Sequence, residues 1–208
     1  SMSKSGCDVY GGAYVDLPGG TRQLAAYYYD GATGVLTWNP VVVPPGYQVQ
    51  SYTGRSMTQR NGPTVGFTFT SPSGQDHVVL YDARNPSTYA IGPLDQYDSF
   101  VGSNMTQNGT VVGSVGGVLP AYGSAGGAPA YLPLGAYSSG GVIDASNSTA
   151  GHVYGGFVTD AVTGAALPVI WQPNGQLRML PLRTAPGSVD GLWLDDSGRY
   201  AYYLVNGE

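Results

Sequence analysis

One cysteine, two histidines, a single glutamate and only eight Lys and Arg occur in this chain of 208 residues. Each shortage excludes something. With Cys7 alone there is no internal disulfide, so the fold must rest on packing. His77 and His152 lie at the starts of expected strands, and no His-x-His, Cys-x-x-Cys or Gly-x-Ser-x-Gly accompanies them. Zinc spacing and a nucleophile motif are both missing, so both histidines read as structural or surface groups. No Asp-x-Asp-x-Asp-Gly loop is present to bind calcium, and neither a metal nor any cofactor is implied. Few cations and a net charge of −5 argue against nucleic acid, because phosphate binding needs a basic face. No apolar run approaches the ~20 residues that span a bilayer. Charged residues make up 10% of the chain.

What the chain has instead is glycine (33) and tyrosine (17). Such a mixture suits short strands joined by tight turns, with tyrosines packing flat faces and reaching water with their hydroxyls. Gly and Pro together are 48 residues, which interrupts any helix that starts. A disordered chain would be poorer in aromatics and richer in charge.

Repetition is the main signal. His152-Val153-Tyr154-Gly155-Gly156-Phe157-Val158-Thr159-Asp160 repeats Asp8-Val9-Tyr10-Gly11-Gly12-Ala13-Tyr14-Val15-Asp16, with Val-Tyr-Gly-Gly identical. Weaker copies begin at Pro63, Thr110 and Arg199. The four later copies follow polar turns ending at Gly62, Gly109, Gly151 and Gly198, spaced by 47, 42 and 47 residues. That period is the mark of a propeller or another β-repeat array.

Each repeat holds an aromatic strand: Tyr27 to Asp30, Val78 to Asp82, Pro129 to Leu132 and Val169 to Gln172. A turn and another strand follow, as in Gly31 to Gly34 before Val35 to Trp38, or Pro173-Asn174-Gly175 before Gln176 to Leu180. Tyr47 to Tyr52, Asp98 to Val101 and Val189 to Leu194 are candidates for a fourth strand. The expectation is an all-β, β-propeller-like array of about four to five short four-stranded antiparallel blades. The repeats fall roughly at 25–70, 77–115, 128–158 and 168–205, within one domain over 8–208, after a tag scar and tail at 1–7. Sheets stacked radially cover each other's faces, and a Val-x-Gly strand suits a crowded centre. The extra N-terminal strand either closes a ring with the last repeat or belongs to a longer array. Gly116 to Pro129 reads as an inter-repeat loop.

The segment Val169-Ile170-Trp171-Gln172-Pro173-Asn174-Gly175-Gln176-Leu177, followed by Leu194-Asp195-Asp196-Ser197-Gly198, resembles bacterial extracellular repeats of the HAF type. The resemblance covers the last repeat well and Asn108 to Val115 in part. In the third repeat Thr149-Ala150-Gly151 replaces the acidic turn. It implies a propeller-like, exported protein without catalysis. Asp30 to Trp38 also resembles the Asp-x-Gly-x-Thr-Trp turn of sialidase-like propellers, with altered spacing and Tyr28 in place of the usual Ser.

A glycosidase needs two carboxylates across a cleft. Asp16, Asp30, Asp82, Asp95, Asp98, Asp144, Asp160 and Asp190 are available, but most sit at turns where Asp has a local task. The expected function is therefore a non-catalytic binding or interaction scaffold for a protein or carbohydrate ligand. A glycan-processing enzyme, or a structural segment of a surface array, is the alternative. Trp38, Trp193 and Tyr28 are the aromatic candidates for ligand contact, with Asp195 and Asp196 beside Trp193. Trp38 and Trp171 also sit where blade-packing residues belong, whereas Trp193 lacks a counterpart and is expected to be exposed. Ser5-Gly6-Cys7 resembles the end of a lipoprotein processing site, apart from Lys4, and makes Cys7 a candidate for acylation. The chain is expected to be exported, to the periplasm, the cell surface or the medium.

Overall fold

The structure, a computed structural model, describes residues 8–20, 22–49, 57–58, 62–95, 98–148, 151–182 and 185–206. Cys7 and its possible acylation lie outside these residues. The fold is all β, with no helix among the described residues.

Five antiparallel sheets follow one another along the chain. The first is β1 (Val9–Asp16), β2 (Arg22–Asp30) and β3 (Val35–Pro40), in that order. The second has β4 (Gln48–Val49) and β5 (Met57–Thr58) side by side along one edge of β6 (Thr64–Thr70), then β7 (Asp76–Asp82) and β8 (Asn85–Ile91). The third is a meander of β9 (Phe100–Met105), β10 (Val111–Val115), β11 (Leu119–Gly123) and β12 (Ala130–Tyr131). The fourth repeats it with β13 (Ser139–Ala145), β14 (Tyr154–Thr159), β15 (Ala166–Trp171) and β16 (Leu177–Met179). The fifth has two strands, β17 (Val189–Leu194) and β18 (Ala201–Val205).

Burial explains the succession, since each sheet lays a face on the next. Tyr10, Leu24 and Ala26 of the first sheet share a core with Val65, Phe67, Phe69, Val79 and Tyr81 of the second. Val78 and Leu80 point the other way, onto Phe100, Val111 and Ala121 of the third. The run Val78-Val79-Leu80-Tyr81 thus feeds two cores in alternation, which is why it is continuously apolar. Val112 crosses to the fourth sheet's core of Val142, Tyr154, Val158, Val169 and Trp171. There Tyr122 stacks on Tyr154 with ring centroids 4.6 Å apart. Val153 and Ile170 then meet Leu192 and Leu194 of the fifth sheet.

Two glycines of the repeated pattern have a steric task. A Cβ on Gly113 would collide with Val101 O, and one on Gly156 with Gly141 O. In both places the neighbouring strand bulges, β9 opposite Val112/Gly113 and β13 between Val142 and Asp144, and pushes a carbonyl into the space a side chain would fill. Asp144 fastens three sheets together. Its carboxylate accepts from Asn104 Nδ2 of β9 at 2.6 Å and from Leu194 N of β17 at 2.7 Å.

Several expectations need correcting. Gly116 to Pro129 is not a loop, for it contains β11. Gly116 and Gly117 turn the chain with φ of 58° and 72°, and Ala121 is then buried in the core between the second and third sheets. Pro129 to Leu132, expected as the aromatic strand of its repeat, accordingly supplies the edge strand β12. The described part of the fourth-strand candidate at 47–52, and the candidates at 98–101 and 189–194, open the following sheet instead of closing their own, so the sequence repeats straddle the sheets; residues 50–52 lie outside the described residues. The N-terminal strand pairs with β2 inside the first sheet.

The identical Val-Tyr-Gly-Gly copies also face opposite ways. Tyr10 points to the sheet that follows it, while Tyr154 points to the sheet that precedes it. A strand has a side-chain period of two, so a shift of one residue exchanges its faces.

Candidate functional site

The fifth sheet is built from one alternating strand and one turn. Leu192 and Leu194 of β17 point inward with Ala201 and Tyr203 of β18, against Val153, Ile170 and Leu180 of the fourth sheet and the loop after it. Leu192 is seated over Gly155, where a Cβ would strike its Cδ2 methyl. The opposite face carries Trp193, directly across the ladder from Tyr202, with Tyr200 and Leu204 two residues to either side. Nothing covers it. Trp193 is 51% exposed, Tyr202 67% and Tyr200 65%. Gly191 lets the indole lie down along the sheet, since a Cβ there would be 2.5 Å from the ring. The result is a flat aromatic surface of the kind that accepts another flat apolar surface or ring.

The acidic pair beside Trp193 is occupied by the turn. Asp195 accepts from Tyr200 N at 2.8 Å, from Ser197 N at 3.2 Å and from the Ser197 hydroxyl. The Ser197 hydroxyl first, and then the Tyr200 amide, hold its carboxyl below the ordinary carboxylate range. Gly198, at φ 71°, closes the turn by donating to Asp195 O at 3.0 Å. Asp196 accepts from Asn147 Nδ2 at 2.9 Å, which pins the turn to the loop after β13. Trp193 stands on one face of the sheet. The two carboxylates shape its end.

The other candidates lie elsewhere. Trp38 is on β3 of the first sheet, beside Tyr27 with ring centroids 5.3 Å apart. It is 48% exposed, not the packing residue its place in the repeat suggests. Tyr28 faces the opposite side of that sheet and donates to Asp8 Oδ2 at 3.2 Å. Burial first, and then that hydrogen bond, raise its pKa. The five candidates therefore divide between the first and fifth sheets. Trp171 is fully buried, and its Nε1–H donates to Pro133 O at 2.8 Å.

Other acidic residues are committed to turns as well. Asp30 is held low by the Ala32 amide and the Thr33 hydroxyl, and Asp160 by the Thr163 amide and hydroxyl. Asp82 pairs with Arg84 at 2.6 Å. His152 Nδ1 lies 2.7 Å from Ser146 O and Nε2 lies 3.3 Å from Asn108 Nδ2, so it ties the loops of the third and fourth sheets. His77 is buried beside Tyr47, and its Nδ1 has no hydrogen-bond partner among the described residues. Among the described residues no three His, Cys, Asp or Glu converge as a metal site would require.

Sequence reasoning missed Tyr200, Tyr202 and Gly191. The alternation Tyr200-Ala201-Tyr202-Tyr203-Leu204 contained the signal, because the even positions had to share the face of Trp193 once the strand paired with β17. Comparison with known proteins returns neither a matching family model nor a matching curated relative.

Proposed function

We propose that this chain is a non-catalytic binding scaffold, propeller-like in build and exported from a bacterial cell, that engages a protein or glycan ligand. The observation that carries the proposal is the uncovered platform of Trp193 and Tyr202 on a sheet whose other face is packed. A contiguous exposed aromatic surface on a well-packed scaffold marks an interaction site, and Trp and Tyr carry much of the energy at contact centres. The propeller reading is supported by successive meanders laid face to face, each covering the previous one. The non-catalytic reading is supported by carboxylates spent on turns and on joining sheets. Export rests on the resemblance to HAF-type repeats.

The test is to probe arrayed glycans and arrayed extracellular bacterial proteins with the purified chain and with a Trp193→Ala/Tyr202→Ala variant. Loss of the same ligand by more than about tenfold (roughly 1.4 kcal/mol) is expected, in line with removal of an aromatic hot spot. A ligand retained by the double variant, or a glycan that is cleaved, refutes the proposal.

A further inference from the structure

The core between the second and third sheets is apolar as far as Leu80 and Met105. The next residue of β7 on that face is Asp82, with Thr64 of β6 directly across the ladder. Polar side chains replace apolar ones there, the sheets part, and a cleft of about 550 Å³ opens with Leu80 and Met105 in its floor. β8 shapes the rim. Asp82 pairs with Asn85 but Tyr81 pairs with Tyr89, so Pro86, Ser87 and Thr88 loop out of register, and Thr88 and Tyr89 line the cleft. The buried Tyr81 stands behind the Tyr89 ring, centroids 6.1 Å apart, while Tyr89 itself is exposed. Ser124, just after β11, lines the side that belongs to the third sheet.

The lining says what the cleft takes. The hydroxyls of Thr64, Thr88, Tyr89 and Ser124 make no hydrogen bond to the described residues. The cleft between the third and fourth sheets differs, because its polar groups are in use. Asn147 there accepts from Gln107 N at 2.6 Å and donates to Asp196 Oδ1 at 2.9 Å, and both His152 ring nitrogens have partners. Among the described residues lining the first cleft, Asp82 alone is charged. Arg84 spans its carboxylate, Nε to Oδ1 at 3.0 Å and Nη2 to Oδ2 at 2.6 Å, which balances the charge and holds the carboxyl below the ordinary carboxylate range. A carboxylate has about four lone-pair sites, so one is left after these two bonds and the Arg84 amide at 2.9 Å. The cleft therefore offers hydroxyls, one strong acceptor, an aromatic ring and no net charge.

We propose that the cleft between the second and third sheets binds a neutral sugar ring. A sugar has an apolar C–H face and a rim of hydroxyls that both donate and accept, and the cleft matches each. The C–H face lies on Tyr89, and the rim exchanges hydrogen bonds with Thr64, Thr88, Ser124 and the open lone pair of Asp82. The proposal rests on the binding reading but adds a second site that uses neither Trp193 nor Tyr202. An open cleft holds a single sugar weakly, with a millimolar Kd. A washed array thus reads the platform and a solution titration reads the cleft, so the two fail separately.

The test is an NMR titration of the chain with the methyl glycosides of glucose, galactose, mannose and N-acetylglucosamine, and with methyl glucuronide as the charged control. At least one neutral glycoside is expected to bind, about tenfold or more tightly than the glucuronide, with an affinity that does not change with salt. The amide signals of Ala90, Gly109 and Ala125, which line the cleft, are expected to move. Tyr89→Ala is expected to lose the sugar and Tyr89→Phe to keep it, which separates a lost ring from a lost fold. Thr88→Val and Ser124→Ala are each expected to weaken binding by about two- to tenfold, one hydrogen bond apiece. Trp193→Ala/Tyr202→Ala is expected to bind the sugar unchanged. Competition by a soluble polymer of the same sugar assigns the source to a glycan chain and its failure assigns it to a free sugar; either result supports the proposal. Binding of none of the neutral glycosides, equal binding of the glucuronide, or affinity unaltered by Tyr89→Ala and Thr88→Val overturns it. Loss of the sugar in the Trp193→Ala/Tyr202→Ala variant also overturns it, since the ring then sits on the platform.

Discussion

Gly155 and Leu192 offer the most direct check on how the last sheet is seated. Leu192 is buried, and its Cδ2 methyl occupies the place a Cβ on Gly155 would need. Leu192→Ala removes three carbons from a packed site and is expected to cost about 2–5 kcal/mol, transfer and cavity together. Gly155→Ala forces Leu192 out of its seat and is expected to cost about 1–3 kcal/mol from overpacking. Strand glycine itself carries a penalty of about 0.5–1 kcal/mol relative to alanine, which offsets part of that. In the double variant the new methyl enters the space the leucine left. The two losses then fall short of additive, by about 1–2 kcal/mol. Urea unfolding of the four proteins, followed by far-UV circular dichroism at constant m-value, gives the cycle. Additivity within about 0.3–0.5 kcal/mol would refute the contact, and with it the seating of the fifth sheet on the fourth.

Two further predictions concern buried polar groups. Burial of His77 depresses its pKa below 6.5, although Asp76 opposes the shift. Because the folded value is the lower one, its contribution to stability is present above pH 6.5 and is lost as pH falls through that value toward the folded pKa. The urea midpoint is expected to drop between pH 7.5 and 5, and His77→Phe is expected to flatten that limb. An unchanged limb refutes the assignment. Asp144→Ala is expected to cost about 1–3 kcal/mol for each donor it strands, Asn104 Nδ2 and Leu194 N, and to speed amide exchange at Leu194. Exchange at the wild-type rate would show that Asp144 does not join the sheets.

The sequence declared its strands through alternation and its turns through glycine, and those parts of the fold were legible. Val78 to Tyr81 and Val169 to Trp171 are strands because β-branched and aromatic residues run between turn formers. Facing was much less legible. Two identical tetrapeptides differ in which neighbour their tyrosines meet, and only pairing with β2 and with β13 and β15 decides it. Gly116 to Pro129 misled for a related reason. Its glycines and alanines resemble a linker, yet the small side chains are what the flanked position of β11 admits. Of the candidate site, Trp193 was legible by its lack of a repeat counterpart. Tyr202 was not, because its partnership with Trp193 exists only once the hairpin is in register.

The core between neighbouring sheets has a mechanical consequence. Those cores join each sheet to the ones before and after it in the chain, so tension applied at the two ends loads them in series. Among the described residues the fifth sheet has two strands and one packed face, so of these five sheets it is expected to yield first. Asp144 then carries the load, because it bonds to β9 and β17 from β13 and must lose β17 as that sheet departs. Extension proceeds as a sawtooth rather than a single rupture. Each four-stranded sheet releases about 40 residues, or roughly 140 Å of contour at ~3.4 Å per residue. Pulled across these five sheets, the chain would lengthen in steps under shear, giving up one sheet while its neighbours stayed folded.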